Sequence, residues 1–467
     1  MHLLIVGGSD AGISAALRAH ELDSSVEITL LVADDYPNFS ICGLPYYLSG
    51  ETPDWRDLAH RKEFPGIKVL RRHKAVAIDA GQQAVSVSHE GAEATMHYDK
   101  LIVATGATPA RPELAGHDLP NVFPLHTMED SFAVHRRLEE GPCDAAVLIG
   151  GGYIGLEMAD ALTQRGLDVT LLSRTETVMP TVDAEIGLLV EQELRRHGVR
   201  VFTNVNAARV RTQASRLAIE DSAGKTHGAD LVIVAVGARP ETSLAGRAGA
   251  QLGVREAIAV TRQMRTNLPE VFAAGDCVET YHRLLKRPTY ISLGTIAHKQ
   301  GRVAGENAIG GDRAYAGTLG TQSLKVFELA VVCTGLRDRE AQAEGFNPLT
   351  VPSSANDHKA YYPGATSLHM RVTGDLSSGH LIGAQIVGDR KAEISKRIDI
   401  VAAALFQEAK VEDLNDLDLS YTPPFSSPWD PVQMAAQSWS AAVRERLRTQ
   451  GPQRHFEHAH LIDRAAV

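Results

Sequence analysis

Ala145-Ala146-Val147-Leu148-Ile149-Gly150-Gly151-Gly152-Tyr153-Ile154-Gly155 is an apolar run broken by a glycine triplet, with a helix-forming stretch through Glu157 behind it. Strand, tight turn and helix in that order make a dinucleotide-binding fingerprint. Gly150 permits the turn, Gly152 lets backbone approach a pyrophosphate, and Gly155 lets helix pack on strand. The next strand, Asp168 to Leu172, ends at Ser173-Arg174. A carboxylate there would favour the free 2′-hydroxyl of NAD, whereas Ser173 with Arg174 suits the 2′-phosphate of NADP. NADPH is therefore expected ahead of NADH. A further glycine turn at Gly237 closes this unit.

The same pattern opens the chain. His2 to Val6 reads as a strand, Gly7-Gly8-Ser9-Asp10-Ala11-Gly12 as the turn, and Ile13 to Leu22 as the helix. Ser9 stands where the middle glycine would be. The strand Val26 to Val32 should end on a carboxylate for ribose hydroxyls, but Val32 holds that place and Asp34 comes just after. Either Asp34 takes over, or water and backbone hold the ribose. The apolar strand before Thr105-Gly106 reads as one ending under a cofactor, and Asp276 is delivered at a tight turn suited to accept from a sugar or ribityl hydroxyl. Two Rossmann-like units in an α/β fold follow. Beyond residue 321, strand-like stretches (Ser323 to Phe327, Leu368 to Val372, Leu381 to Val387) surround an amphipathic helix, Ala392 to Ala409, which predicts an α+β domain.

Composition sets the bounds. With 467 residues, 44% hydrophobic and 22% charged, the chain has ample core for several domains. A net charge of -10 gives no reason to expect nucleic-acid binding. Four cysteines, Cys42, Cys143, Cys277 and Cys333, are scattered without metal-type spacing, so neither a metal site nor a disulfide framework is expected. The chain shows no basic leader and no long apolar run, which predicts a cytoplasmic protein without membrane spans.

Cys42 sits in Asn38-Phe39-Ser40-Ile41-Cys42-Gly43-Leu44-Pro45-Tyr46-Tyr47, with no second cysteine within a helical turn. A lone thiol beside a redox cofactor cycles through a mixed disulfide, a persulfide or a sulfenic acid. Together, the two nucleotide units, the Ala-Thr-Gly and Ala-Gly-Asp segments and the C-terminal α+β domain resemble the two-dinucleotide flavoprotein disulfide reductases, over about residues 1–440. The segment Phe39-x-x-Cys42-Gly-Leu-Pro-Tyr-Tyr is similar to the single-cysteine branch, which holds coenzyme A disulfide reductases, NADH oxidases and NADH peroxidases. Oxidase and peroxidase members carry a histidine in the first glycine turn. Asp10 matches that position, which tilts the resemblance toward coenzyme A disulfide chemistry.

The resemblance implies FAD on Gly7, Gly8, Ser9, Gly12, Asp34, Thr105, Gly106 and Asp276. It implies the nicotinamide cofactor on Gly150, Gly152, Gly155, Ser173, Arg174 and Gly237, and a homodimer whose active site is shared. Its domains would be residues 1–120 with 245–320 (FAD), 121–244 (NAD(P)H) and 321–445 (dimerisation), with 446–467 as a tail. Cys42 is the implied redox residue, forming a mixed disulfide with coenzyme A. Glu157 is placed near the flavin, and Tyr361 and Tyr421 approach from the partner subunit. Asn38 stands where the family has a serine contacting the disulfide. Arg18, Arg61, Arg71 and Arg72 are candidates for the coenzyme A phosphates. The rival readings are an oxidase cycling Cys42 through sulfenate, a persulfide or polysulfide reductase, and a low-turnover redox sensor.

Overall fold

The structure, a computed structural model, describes residues 1–110 and 112–450. It forms two compact units, Met1–Thr318 and Leu319 onward.

The first unit contains two separate five-stranded parallel sheets. In one, the strands lie in the order Val271–Ala273, Lys100–Val103, His2–Val6, Glu27–Leu31, Ile67–Leu70. Its central strand is buried on both faces, as parallel sheets require. Leu3 and Ile5 pack with helix residues such as Ala15 and Val303, while Leu4 and Val6 pack with Val85 and Val103. The other sheet has the order Arg200–Phe202, Asp168–Leu172, Ala145–Ile149, Leu231–Val234, Val122–Pro124. The chain leaves the first sheet after Val103, builds the second, and returns to the first at Val271. The two crossings lie side by side, because Ala107–Pro109 pairs antiparallel with Ala238–Pro240.

Two antiparallel three-stranded meanders decorate these sheets: Lys74–Asp79, Ala84–His89, Ala92–His97, and Ala207–Gln213, Arg216–Asp221, Thr226–Ala229.

The second unit is a five-stranded antiparallel sheet in the order Gln322–Val326, Leu329–Gly335, Leu381–Asp389, Ser367–Asp375, Pro348–Asn356. Pro348 and Pro352 put the last of these at an edge, where a missing N–H costs no ladder bond. The amphipathic helix runs Ile394–Phe406 and packs on Leu329–Gly335 and Leu381–Asp389. Residues 446–450 continue the final helix, Pro431–Gln450; the rest of the expected tail lies outside the described residues. Among the described residues, no helix is long and apolar enough to cross a membrane.

Candidate active site

Steric exclusion writes the first glycine turn. Gly7 has φ +115°, and a Cβ there would sit 2.0 Å from the Ala104 carbonyl oxygen; one on Gly12 would sit 1.9 Å from the Gly7 carbonyl oxygen. Ser9 caps the helix Asp10–Leu22 without a side-chain bond to it. The turn is therefore a concave backbone surface ahead of a helix N-terminus, a setting that suits a pyrophosphate. The second turn repeats the geometry: a Cβ on Gly150 would lie 2.2 Å from the Ala235 oxygen, and one on Gly155 1.9 Å from the Gly150 oxygen.

Val32 is buried and packs so closely on Gly8 that a Cβ there would come within 2.6 Å of it. Asp34 is half-buried, and its Oδ1 accepts the Tyr36 N–H at 2.8 Å, closing an Asx turn. Asp35 pairs with Arg72 at 2.7 Å. Thr105 donates to the Glu241 carbonyl at 2.6 Å, and Ala110 N–H donates to the Gly237 carbonyl at 2.8 Å. The segments containing Thr105-Gly106 and Gly237 thus meet where the chain crosses between the sheets.

Asp276 carries a buried carboxylate oxygen, Oδ1, that has no hydrogen-bond partner among the described residues. Burial first, and the nearby Asp10 second, push its carboxyl up to about 6, against a smaller opposing hydrogen bond from Ser292. An orphaned buried acceptor is costly unless a donor arrives. A ribityl or sugar hydroxyl is such a donor, so this acid and the concave glycine turn fit a flavin dinucleotide.

Asn38 ties the cysteine segment to that turn. It has a left-handed backbone (φ 58°), which asparagine tolerates well. Its N–H donates to the Gly8 carbonyl at 2.7 Å, and its own carbonyl accepts from His60 N–H at 2.9 Å. Cys42 lies in the short turn Ile41–Gly43 that feeds the helix Leu44–Ser49. Of the four cysteines it alone is exposed. Its thiol is pushed above the ordinary value by desolvation first, then by Glu157, Asp10 and Asp276. Acids from three distant parts of the chain thus act on one sulfur. Tyr46 is pushed up by burial and by the same Glu157. Glu157 is on the helix Tyr153–Gln164, which packs against Leu44–Ser49.

An aromatic cluster supports this segment. Tyr36, Phe39, Trp55 and Phe132 meet with centroid separations of 5.3 to 5.8 Å, and Tyr47 stacks on His135 at 5.0 Å. Sequence reasoning missed it. The available signal was five aromatics between residues 36 and 55 in a chain only 5% aromatic; Phe132 and His135 arrive from the helix Met128–Glu139.

Just past the strand Asp168–Leu172, Ser173 is buried with its hydroxyl on Thr175 at 2.9 Å. Arg174 is exposed. The other arginines divide. Arg18 pairs with Glu306 at 2.8 Å and Arg72 with Asp35, whereas Arg61 and Arg71 are exposed with no ion pair among the described residues. Tyr361 and Tyr421 lie in the second unit, 74% and 45% exposed, and Phe425 and Trp429 of the same unit are exposed as well.

Residues 1–301 match the family model for pyridine nucleotide-disulphide oxidoreductases, and residues 321–431 match that family's dimerisation domain. The chain is 34% identical over 441 residues to a CoA-dependent NAD(P)H sulfur oxidoreductase of Pyrococcus furiosus, covering 93% of this chain and 98% of that protein. It is 30% identical over 442 residues to the coenzyme A disulfide reductase of Staphylococcus haemolyticus, covering 92% and 98%. Among solved structures, an NAD-dependent persulfide reductase from A. fulgidus superposes with a TM-score of 0.91 at 35% identity, covering 96% of this chain and 84% of that one.

Proposed function

The chain belongs to the pyridine nucleotide-disulphide oxidoreductases, and from that premise we propose that it reduces coenzyme A disulfide or a related persulfide with NAD(P)H through Cys42. The protein is an FAD-dependent oxidoreductase with a dimerisation domain. Gly7, Gly8, Ser9, Gly12, Thr105, Gly106 and Asp276 would hold the flavin, within residues 1–120 and 245–320. Gly150, Gly152, Gly155, Ser173, Arg174 and Gly237 would hold the nicotinamide cofactor, within 121–244. When bound, the flavin supplies two-electron chemistry between nicotinamide and sulfur.

The Cys42 thiolate attacks one sulfur of the coenzyme A disulfide. A Cys42–S–S–CoA bond forms, the substrate S–S bond breaks, and one coenzyme A leaves as thiolate. Tyr361 or Tyr421 of the partner subunit protonates that leaving group. An electron pair and a proton from NAD(P)H and solvent then cleave the mixed disulfide, returning the Cys42 thiolate and the second coenzyme A thiol. Arg61 and Arg71, exposed and without an ion pair among the described residues, are the better placed candidates for the coenzyme A phosphates; Arg18 and Arg72 are already paired.

The observation that carries this reading is that Cys42, alone of the four cysteines, is exposed, on a segment tied to the first glycine turn by the Asn38 N–H to Gly8 carbonyl bond. With no second cysteine beside it, Cys42 is oxidised by bonding to an external sulfur or to oxygen, and its exposure leaves it open to a disulfide substrate. The test is intact mass of protein purified without reductant, before and after dithiothreitol. Loss of one coenzyme A mass mapped to Cys42 supports the proposal. An uncapped Cys42 together with oxygen consumption would replace it with the oxidase reading.

A further inference from the structure

Arg397 projects from the helix Ile394–Phe406 and is buried in the second unit. Its Nη2 donates to two backbone carbonyls in different loops: Asp357 at 2.6 Å and Phe425 at 3.2 Å. Nη1 donates to the Ala392 carbonyl, and Nε lies 3.9 Å from the buried Asp430 carboxylate. One planar fork therefore spans the loop that carries Tyr361 and the loop that follows Tyr421.

Each loop is also closed at its base. Asp357 N–H donates to the Thr366 carbonyl at 3.0 Å, and Thr366 N–H donates to Asp357 Oδ1 at 2.8 Å. The other oxygen of Asp357 bonds His358 Nδ1 at 2.8 Å. In the second loop, Phe425 and Ser426 N–H groups both donate to the Thr422 carbonyl, and Ser426 Oγ donates to Asp430 at 2.7 Å. A third link, Lys359 N–H to the Pro423 carbonyl at 3.3 Å, joins the loops directly. The tyrosines themselves are exposed, so their place is set by their loops and not by packing of the rings.

We propose that Arg397 and Asp357 are positioning residues that fix the two tyrosine-bearing loops against each other, and so set where Tyr361 and Tyr421 stand when the leaving thiolate is protonated. The inference rests on the reading that these tyrosines act in the reaction. A shift of about 1 Å in such a group costs up to roughly a hundredfold in rate. Arg397→Lys keeps the charge beside Asp430 but replaces the two-armed fork with a point donor.

The experiment compares full-length Arg397→Lys with wild type, each in the native background and in Tyr361→Phe/Tyr421→Phe. Two rates are read: single-turnover reduction of bound flavin by NAD(P)H, and steady-state turnover with coenzyme A disulfide. The expected result is an unchanged flavin-reduction rate, a kcat lower by about ten- to a hundredfold, a KM within about twofold, and no further loss when the tyrosines are already gone. A loss of equal size in both backgrounds means a merely structural role and overturns the proposal. Full turnover in Arg397→Lys while the tyrosine variants are impaired also overturns it. Wild-type turnover in Tyr361→Phe/Tyr421→Phe removes the reading beneath it instead. If Arg397→Lys does not fold, Asp357→Ala is read in the same way, with Asp357→Asn, which keeps an acceptor for Thr366, expected to restore kcat; failure to restore it counts against the proposal.

Discussion

One methyl group in each glycine turn separates the two nucleotide sites. In Gly12→Ala the new Cβ would lie 1.9 Å from the Gly7 carbonyl oxygen, and in Gly155→Ala an equivalent atom would lie 1.9 Å from the Gly150 oxygen. Ordinary contact begins near 3.4 Å, so helix and turn must part by roughly 1.5 Å, an overpacking that costs about 1–3 kcal/mol. The displaced carbonyl belongs to the turn proposed to face the pyrophosphate. If the whole cost falls on the bound state, affinity weakens by about 5- to 150-fold. Gly12→Ala should therefore emerge from gel filtration with a lowered ratio of flavin to protein absorbance, regained by excess FAD. Gly155→Ala should keep its flavin and instead show a raised dissociation constant for NADPH in rapid-mixing titrations. Normal flavin content in Gly12→Ala, or flavin loss confined to Gly155→Ala, would refute the assignment of the two turns.

Cys42→Ser should abolish turnover with coenzyme A disulfide while NADPH still bleaches the bound flavin; retained turnover would remove Cys42 from the reaction. Asp276 has its pKa raised to about 6 from 3.8, so the folded chain holds that proton more tightly than the unfolded one. Stability is then lost as pH rises from about 4 to about 6, by about 3 kcal/mol in all. Asp276→Asn should stabilise the flavin-free protein above pH 6, with the gain vanishing below pH 4 in denaturant titrations; curves that run parallel across pH would contradict this. Arg174→Ala should raise KM for NADPH by about tenfold or more and leave that for NADH within about twofold, the difference expected of a lost charge-assisted phosphate contact; equal effects on both cofactors would place Arg174 in solvent.

What the sequence disclosed and what it hid follow one physical line. Gly7, Gly12, Gly150 and Gly155 are legible because a steric collision within a dozen residues dictates them. Apolar runs such as Ala145–Ile149 are legible because a doubly covered strand must be apolar throughout. The meander Ala207–Ala229 went unread because its first strand is mostly exposed and polar, with little periodicity to follow. At the site, the environment of Cys42 is assembled from residues 10, 157 and 276, and no local pattern announces which charges will converge. Asp34 shows the same limit from the other side. It is an acid at nearly the right place, yet one of its oxygens is already taken by the Tyr36 N–H. Arg397 reads as one more polar position on an amphipathic helix until two loops are seen to end on it.

The ribbon of Ala107–Pro109 against Ala238–Pro240 makes departure and return of the chain neighbours in space. Everything between them, including the whole second parallel sheet, is entered and left through a doorway two strands wide. The ends of such an insert are held together whatever lies inside, so its length can vary at little cost to the sheet that hosts it. In evolutionary terms the inserted unit is a cassette. A lineage that exchanged it would keep the strand order of the host sheet but would have to rebuild the contacts of Phe132, His135 and the helix Tyr153–Gln164 with the Cys42 segment.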